Sequence, residues 1–170
     1  MSNDPDIPFV DEQVATLPTE MREDLAERGR NDLYFFAKGI LGYRDMAPGC
    51  HRSACRFLDS NPAQFKLILW PRAHFKSSAG TVAGTLQKVV RNVEGRNLIR
   101  NEIATNAQRF LRTIKTHAEG NRIFRALYPE VIPKDYRKVR WNDSELDFLR
   151  SGHYPEPTIS AAGVTSTSTS

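Results

Sequence analysis

The chain has 170 residues, 39 % of them apolar and 26 % charged, which allows one buried core and argues against wholesale disorder. No stretch approaches the roughly 20 consecutive apolar residues of a membrane-spanning helix. The acidic start lacks the basic-then-apolar pattern of a secretory signal, so an intracellular chain that is neither secreted nor membrane-bound is expected. The formal net charge is +4 and unevenly spread. Asp4, Asp6, Asp11, Glu12 and Glu20 fall in the first 21 residues, which hold no Lys or Arg, so the remainder carries 24 basic against 15 acidic side chains. Such a body suits a polyanionic partner, nucleic acid above all; it is equally the pattern of a solvated basic surface.

Residues 1–18 read as an acidic, extended leader punctuated by Pro5, Pro8 and Pro18. Thr19 is placed to cap a helix, with Glu20, Glu23 and Asp24 in its first turns. Leu33, Phe36, Ile40 and Leu41 continue that helix to about Leu41, where Gly42 and then Pro48-Gly49 break it. A second helix over about 51–59 ends at Asn61-Pro62, making 19–62 a helical N-terminal segment. Cys50 and Cys55 flank His51, but no second ligand pair exists elsewhere, so two ordinary thiols are expected rather than a zinc site.

Phe65 to Trp70 (FKLILW) is a short apolar run of the kind buried on both faces of a parallel sheet. The period then changes: Ala79, Val82, Ala83, Leu86, Val89 and Val90 mark one face of a helix, with Gly80 and Gly84 permitting close packing. Leu98 to Ile103 reads as a second strand. Ala107, Phe110, Leu111, Ile114 and Ala118 give an amphipathic helix closed by Gly120, and a short helix follows over 121–127. Residues 129–157 read as a Pro-rich excursion with little regular structure, and Thr158 to Ala162 as a third strand. Strands alternating with helices predict α/β architecture, a parallel sheet with flanking helices over 63–170.

Between the first expected strand and its helix stands Trp70-Pro71-Arg72-Ala73-His74-Phe75-Lys76-Ser77-Ser78. A phosphate-binding loop needs converging backbone N–H groups at a helix N-terminus, a Lys for the β and γ phosphates, and a hydroxyl for magnesium. Lys76 and Ser77 supply the last two. Trp70 and Phe75 occupy the places where the common form of the motif has glycines. A left-handed backbone at position 75 would cost a Phe roughly 1–2 kcal/mol.

LILWPRAHFKSS resembles the N-terminal ATPase segment of tailed-phage terminase large subunits, the DNA-packaging motors, whose Walker A is often written around Pro-Arg-x-x-x-Lys-Ser. The helix Cys50-His51-Arg52-Ser53-Ala54-Cys55-Arg56-Phe57-Leu58 is similar to that family's His-containing helix. Asn101-Glu102-Ile103-Ala104-Thr105-Asn106-Ala107, the Trp141-Asn142 segment and residues 157–164 resemble later elements in the same order, so the likeness spans about residues 30–170. It implies a partial P-loop NTPase fold with ATP and Mg2+ as cofactors. Ala73, His74, Phe75, Lys76, Ser77 and Ser78 would contact the nucleotide, Ser77 would ligate magnesium, and Arg72 would stabilise charge developing on the γ-phosphate. For Arg72 a solvated loop cation is an equally open reading, and for His74 a plain surface imidazole is the preferred one.

The resemblance also implies double-stranded viral DNA, a small terminase subunit, a portal protein and further copies of the chain as partners, in the host cell cytoplasm. The family's next element is a strand ending in paired acids, whereas the last acid here is Glu156 and none follows Val164. The chain alone is therefore expected to bind rather than hydrolyse ATP. The alternative is a non-catalytic nucleotide- or DNA-binding remnant of the same fold; an unrelated small kinase is disfavoured because no lid or acceptor-binding element can be identified. Arg109, Arg112 and Lys115 avoid the apolar face of their helix, as a DNA-tracking surface or an ordinary polar face would require. Tyr136 and Trp141 are suited either to stacking on bases or to anchoring a loop.

Overall fold

Asp32 divides what the apolar spacing joins. The computed structural model describes residues 12–164, and in it α1 (Thr19–Asn31) is followed at once by α2 (Leu33–Phe35, continued by a wide π-type turn over Phe36–Ile40). Asp32 is extended, and its Oδ1 accepts from the N–H groups of Tyr34 and Phe35 at 2.9 and 3.0 Å. A short carboxylate that satisfies open N–H groups restarts the helix locally, so one expected helix becomes two. The expected Thr19 cap does not form: Pro18 takes the cap position, and Thr19 Oγ1 accepts from the Arg22 guanidinium. Ahead of α1, Glu12–Thr16 forms a 3-10 turn that buries Val14, so this part of the leader is not extended. Residues 1–11 and the Ser/Thr tail 165–170 lie outside the described residues.

α3 (Cys50–Ser60), α4 (π-type over Lys76–Ala83, α-type over Gly84–Arg91), α5 (Ala104–Gly120) and α6 (Arg122–Leu127) fall close to where periodicity placed them. α5 buries Ala107, Leu111, Ile114 and Ala118 of its expected apolar stripe and half-buries Phe110. The core is one cluster running from Val14 to Ile159. At its centre Phe36, Phe124 and Tyr128 are fully buried, with ring centroids 5.4–6.2 Å apart. The Tyr128 hydroxyl donates to the Ala26 carbonyl at 2.9 Å. That crossing requires Gly29, where a Cβ would lie 2.2 Å from Tyr128 Oη and 2.6 Å from Ile40 Cδ1. By contrast, a Cβ on Gly80 or Gly84 would meet its nearest neighbour at 3.7 or 3.5 Å, ordinary contact distances. The tight glycine is therefore in α1, not in α4.

Polar side chains tie α4 to the helices before it. Gln87 Nε2 donates to the carbonyls of Gly29 and Arg30, closing the C-terminus of α1, and Arg91 Nε also donates to the Arg30 carbonyl. Arg91 pairs with Asp59 of α3 at 2.7 Å, and the second oxygen of Asp59 accepts from Leu33 N–H at 2.9 Å. These bonds hold the C-terminal half of α4 against α1 and α3.

The sheet has the order β1-β3-β2, with β1 (Asn97–Asn101), β2 (Glu145–Leu146) and β3 (Ile159–Gly163). β1 and β3 run parallel, from Asn97 opposite Ile159 to Asn101 opposite Gly163, and α5 packs on both. β2 is antiparallel to β3. The fold is therefore mixed α/β rather than purely parallel. Asn142 sets up β2, its Oδ1 accepting from Ser144 and Glu145 N–H at 2.8 Å each. The excursion 129–157 is mostly irregular but not loose: Val131, Ile132, Leu146 and Phe148 belong to the core.

The first expected strand does not form. Among the described residues, 65–70 join no ladder; Phe65, Leu67 and Leu69 are 87, 80 and 86 % exposed, while Lys66, Ile68 and Trp70 are half-buried. The segment instead lies along α3, where Lys66 Nζ donates to the Leu58 carbonyl at 2.6 Å. An apolar run becomes a strand only when a neighbour takes up its backbone groups, and among the described residues β1, β2 and β3 pair with one another and with Trp141, not with 65–70. Among the described residues no helix is long and apolar enough to cross a membrane.

Candidate phosphate-binding site

Residues 71–75 turn the chain from the extended segment into α4. Two of them have left-handed backbones, Ala73 (φ 62°) and Phe75 (φ 55°, ψ 14°). The position where the common motif has its second glycine thus adopts the conformation a glycine favours, although it holds Phe. His74 Nδ1–H donates to the Arg72 carbonyl at 2.7 Å and tightens the turn. Tyr43 packs on Phe75 with ring centroids 6.2 Å apart, and His51 meets Phe75 edge-on at 5.5 Å. Aromatic packing from two other elements holds the strained residue in place.

α4 starts without a side-chain cap, and its first main-chain bond runs from Ala79 N–H to the Phe75 carbonyl at 2.7 Å. The N–H groups of Lys76, Ser77 and Ser78 precede that bond at the positive end of the helix. Arg72, Ala73, His74 and Lys76 are exposed; Phe75, Ser77 and Ser78 are half-buried. The structure thus brings all seven sequence-nominated residues to one loop-to-helix junction. The junction offers an anion three backbone donors, an ammonium and two hydroxyls. To magnesium it offers the Ser77 hydroxyl, which suffices where the ion keeps waters and shares phosphate oxygens. Residues 70–78 contain no carboxylate, so any carboxylate that orients water must come from elsewhere; His74 is the one side chain there of general-base type.

His51 is the residue that sequence reasoning missed here. Helical spacing put it in α3 but could not say that its ring packs on Trp70, His74 and Phe75, at 5.4, 6.5 and 5.5 Å. Cys50 is exposed and Cys55 is buried, both as free thiols. Burial first, then the carboxylates of Asp32 and Asp59, push the Cys55 thiol up to about 12. Among the described residues no group of three His, Cys, Asp or Glu side chains is placed to hold a metal ion.

The α5 surface is largely committed. Arg112 pairs with Asp143 at 3.7 Å and Lys115 donates to the Trp141 carbonyl at 3.3 Å, while Arg109 is exposed. Trp141 is an anchor: its ring stacks on Tyr136 at 4.6 Å, and its Nε1–H donates to Glu119 at 2.7 Å.

These features define a mixed α/β chain with an exposed loop-to-helix junction at the start of α4. Comparison with protein-family models, with curated proteins and with solved structures finds no match.

Proposed function

We propose that this chain binds a nucleoside triphosphate, ATP with Mg2+, through residues 71–78, as the nucleotide-binding part of a DNA-packaging motor of the terminase kind. The observation that carries the reading is the left-handed turn at Phe75, which sets the N–H groups of Lys76, Ser77 and Ser78 ahead of the first bond of α4. Lys76 holds the β and γ phosphates, Ser77 ligates magnesium, and Arg72 lies on the exposed side of the loop to meet the γ-phosphate. ATP supplies the energy when hydrolysed, and the carboxylate that orients water comes from outside residues 70–78. Double-stranded DNA, a portal, a small subunit and further copies of the chain are the partners this reading calls for.

A non-hydrolysing nucleotide-binding role is favoured over turnover by this chain alone, because the loop carries no acid. Calorimetric titration tests the reading: MgATP binds the unsubstituted chain, Lys76→Ala abolishes the binding, and turnover is absent. Equal binding by the two proteins contradicts the phosphate-loop assignment.

A further inference from the structure

His51 is 5 % exposed, and its two ring nitrogens are treated differently. Nδ1 accepts the Ala47 backbone N–H at 2.7 Å, so Nδ1 carries no proton and the neutral ring bears its hydrogen on Nε2. That Nε2–H is buried with no hydrogen-bond partner among the described residues. Buried donors are nearly always satisfied, and one left open calls for an explanation. The explanation lies beside it: the ring is packed against Trp70 and Phe75, at the two ends of the turn into α4, and against His74 within it.

We infer that His51 is a further binding residue of this site, whose Nε2–H donates to the polyphosphate held at residues 71–78. The inference rests on the phosphate-loop reading above and adds a donor from α3 to those of the loop. The Ala47 bond fixes the tautomer, so the ring presents a donor, never an acceptor, to the anion. Trp70 and Phe75 pack on the ring, so contact between Nε2 and the anion requires their side chains to shift. An uncharged donor suits this place because Lys76 and Arg72 already supply the positive charge.

Three variants and one spectroscopic probe test the inference, with MgATP and inorganic tripolyphosphate as ligands. His51→Asn keeps an acceptor for the Ala47 N–H and removes the distal donor; it is expected to weaken both ligands about tenfold or more. His51→Gln, which keeps a distal donor, is expected to stay within about threefold of the unsubstituted chain. In the unsubstituted chain the 15N resonance of His51 Nε2 is expected to move when tripolyphosphate saturates the site, a readout that needs no variant to fold. If Lys76→Ala loses binding while His51→Asn binds normally, or if the Nε2 resonance does not respond, the role of His51 is overturned and the phosphate loop stands. If Lys76→Ala binds normally, or the unsubstituted chain binds neither ligand, the phosphate loop falls and the role of His51 falls with it.

Discussion

Phe75 holds a left-handed backbone, φ 55° and ψ 14°, while its ring stands edge-on to His51 with centroids 5.5 Å apart. Strain and packing meet in this residue and separate under mutation. Phe75→Ala keeps the strain and loses the ring; Phe75→Gly loses both. The glycine variant is expected to be more stable than the alanine variant by about 1 kcal/mol, measured by urea unfolding. An alanine variant as stable as the glycine variant would show that the backbone at 75 is not left-handed.

Gly29 is set against Tyr128 without room for a methyl group. Gly29→Ala is expected to cost about 2 kcal/mol through overpacking against Tyr128 and Ile40, despite the better helix propensity of alanine. Thermal unfolding of the two proteins checks it; an unchanged or raised midpoint would mean that α1 and Tyr128 cross elsewhere.

Desolvation lowers the pKa of His117, whose Nδ1 lies 3.4 Å from Asn121 Nδ2 and whose Nε2 lies 3.0 Å from the Tyr43 hydroxyl. The unfolded chain therefore takes up the proton first as pH falls below the ordinary His value of about 6.5. The stability that His117 contributes is complete above that pH and is lost as pH falls through its lower folded value. The urea midpoint is expected to decline from pH 7 to pH 5, and His117→Gln to flatten part of that decline. An identical slope in the two proteins would contradict a partly buried ring whose pKa is lowered by desolvation.

Cys50 is exposed, whereas Cys55 is 1 % exposed and its thiol is pushed up to about 12, chiefly by burial. A thiolate-directed reagent at neutral pH is expected to modify Cys50 alone in the folded protein and both thiols in urea. Peptide mass mapping reads the result, and rapid modification of Cys55 in the folded protein would place α3 differently.

The helices and two of the strands were legible because their signals are local. The stripe of α5 appears as the buried face except at Phe110, which is half-buried, and the expected third strand forms one residue later, as β3. Residues 65–70 failed for the opposite reason: an apolar run states that a strand would be buried, not which neighbour would bond to it. β2 is only two residues long and is set by the Asn142 turn and by its partner β3. Asp32 split a helix through side-chain bonds to Tyr34 and Phe35 that carry no periodic signature. At the site, the loop was legible as a motif, and its left-handed Phe75 was anticipated as a cost. His51 was legible only as a helix residue, because its role depends on a contact with residues some twenty positions later in the chain.

The most direct measurement is of the backbone donors themselves. In an amide-resolved spectrum titrated with MgATP, the resonances of Lys76, Ser77 and Ser78 are expected to shift together and to saturate at the calorimetric stoichiometry, with Lys76→Ala abolishing the response. Binding of MgATP that leaves those three amides unmoved would contradict the account, because the nucleotide would then be held somewhere other than the start of α4.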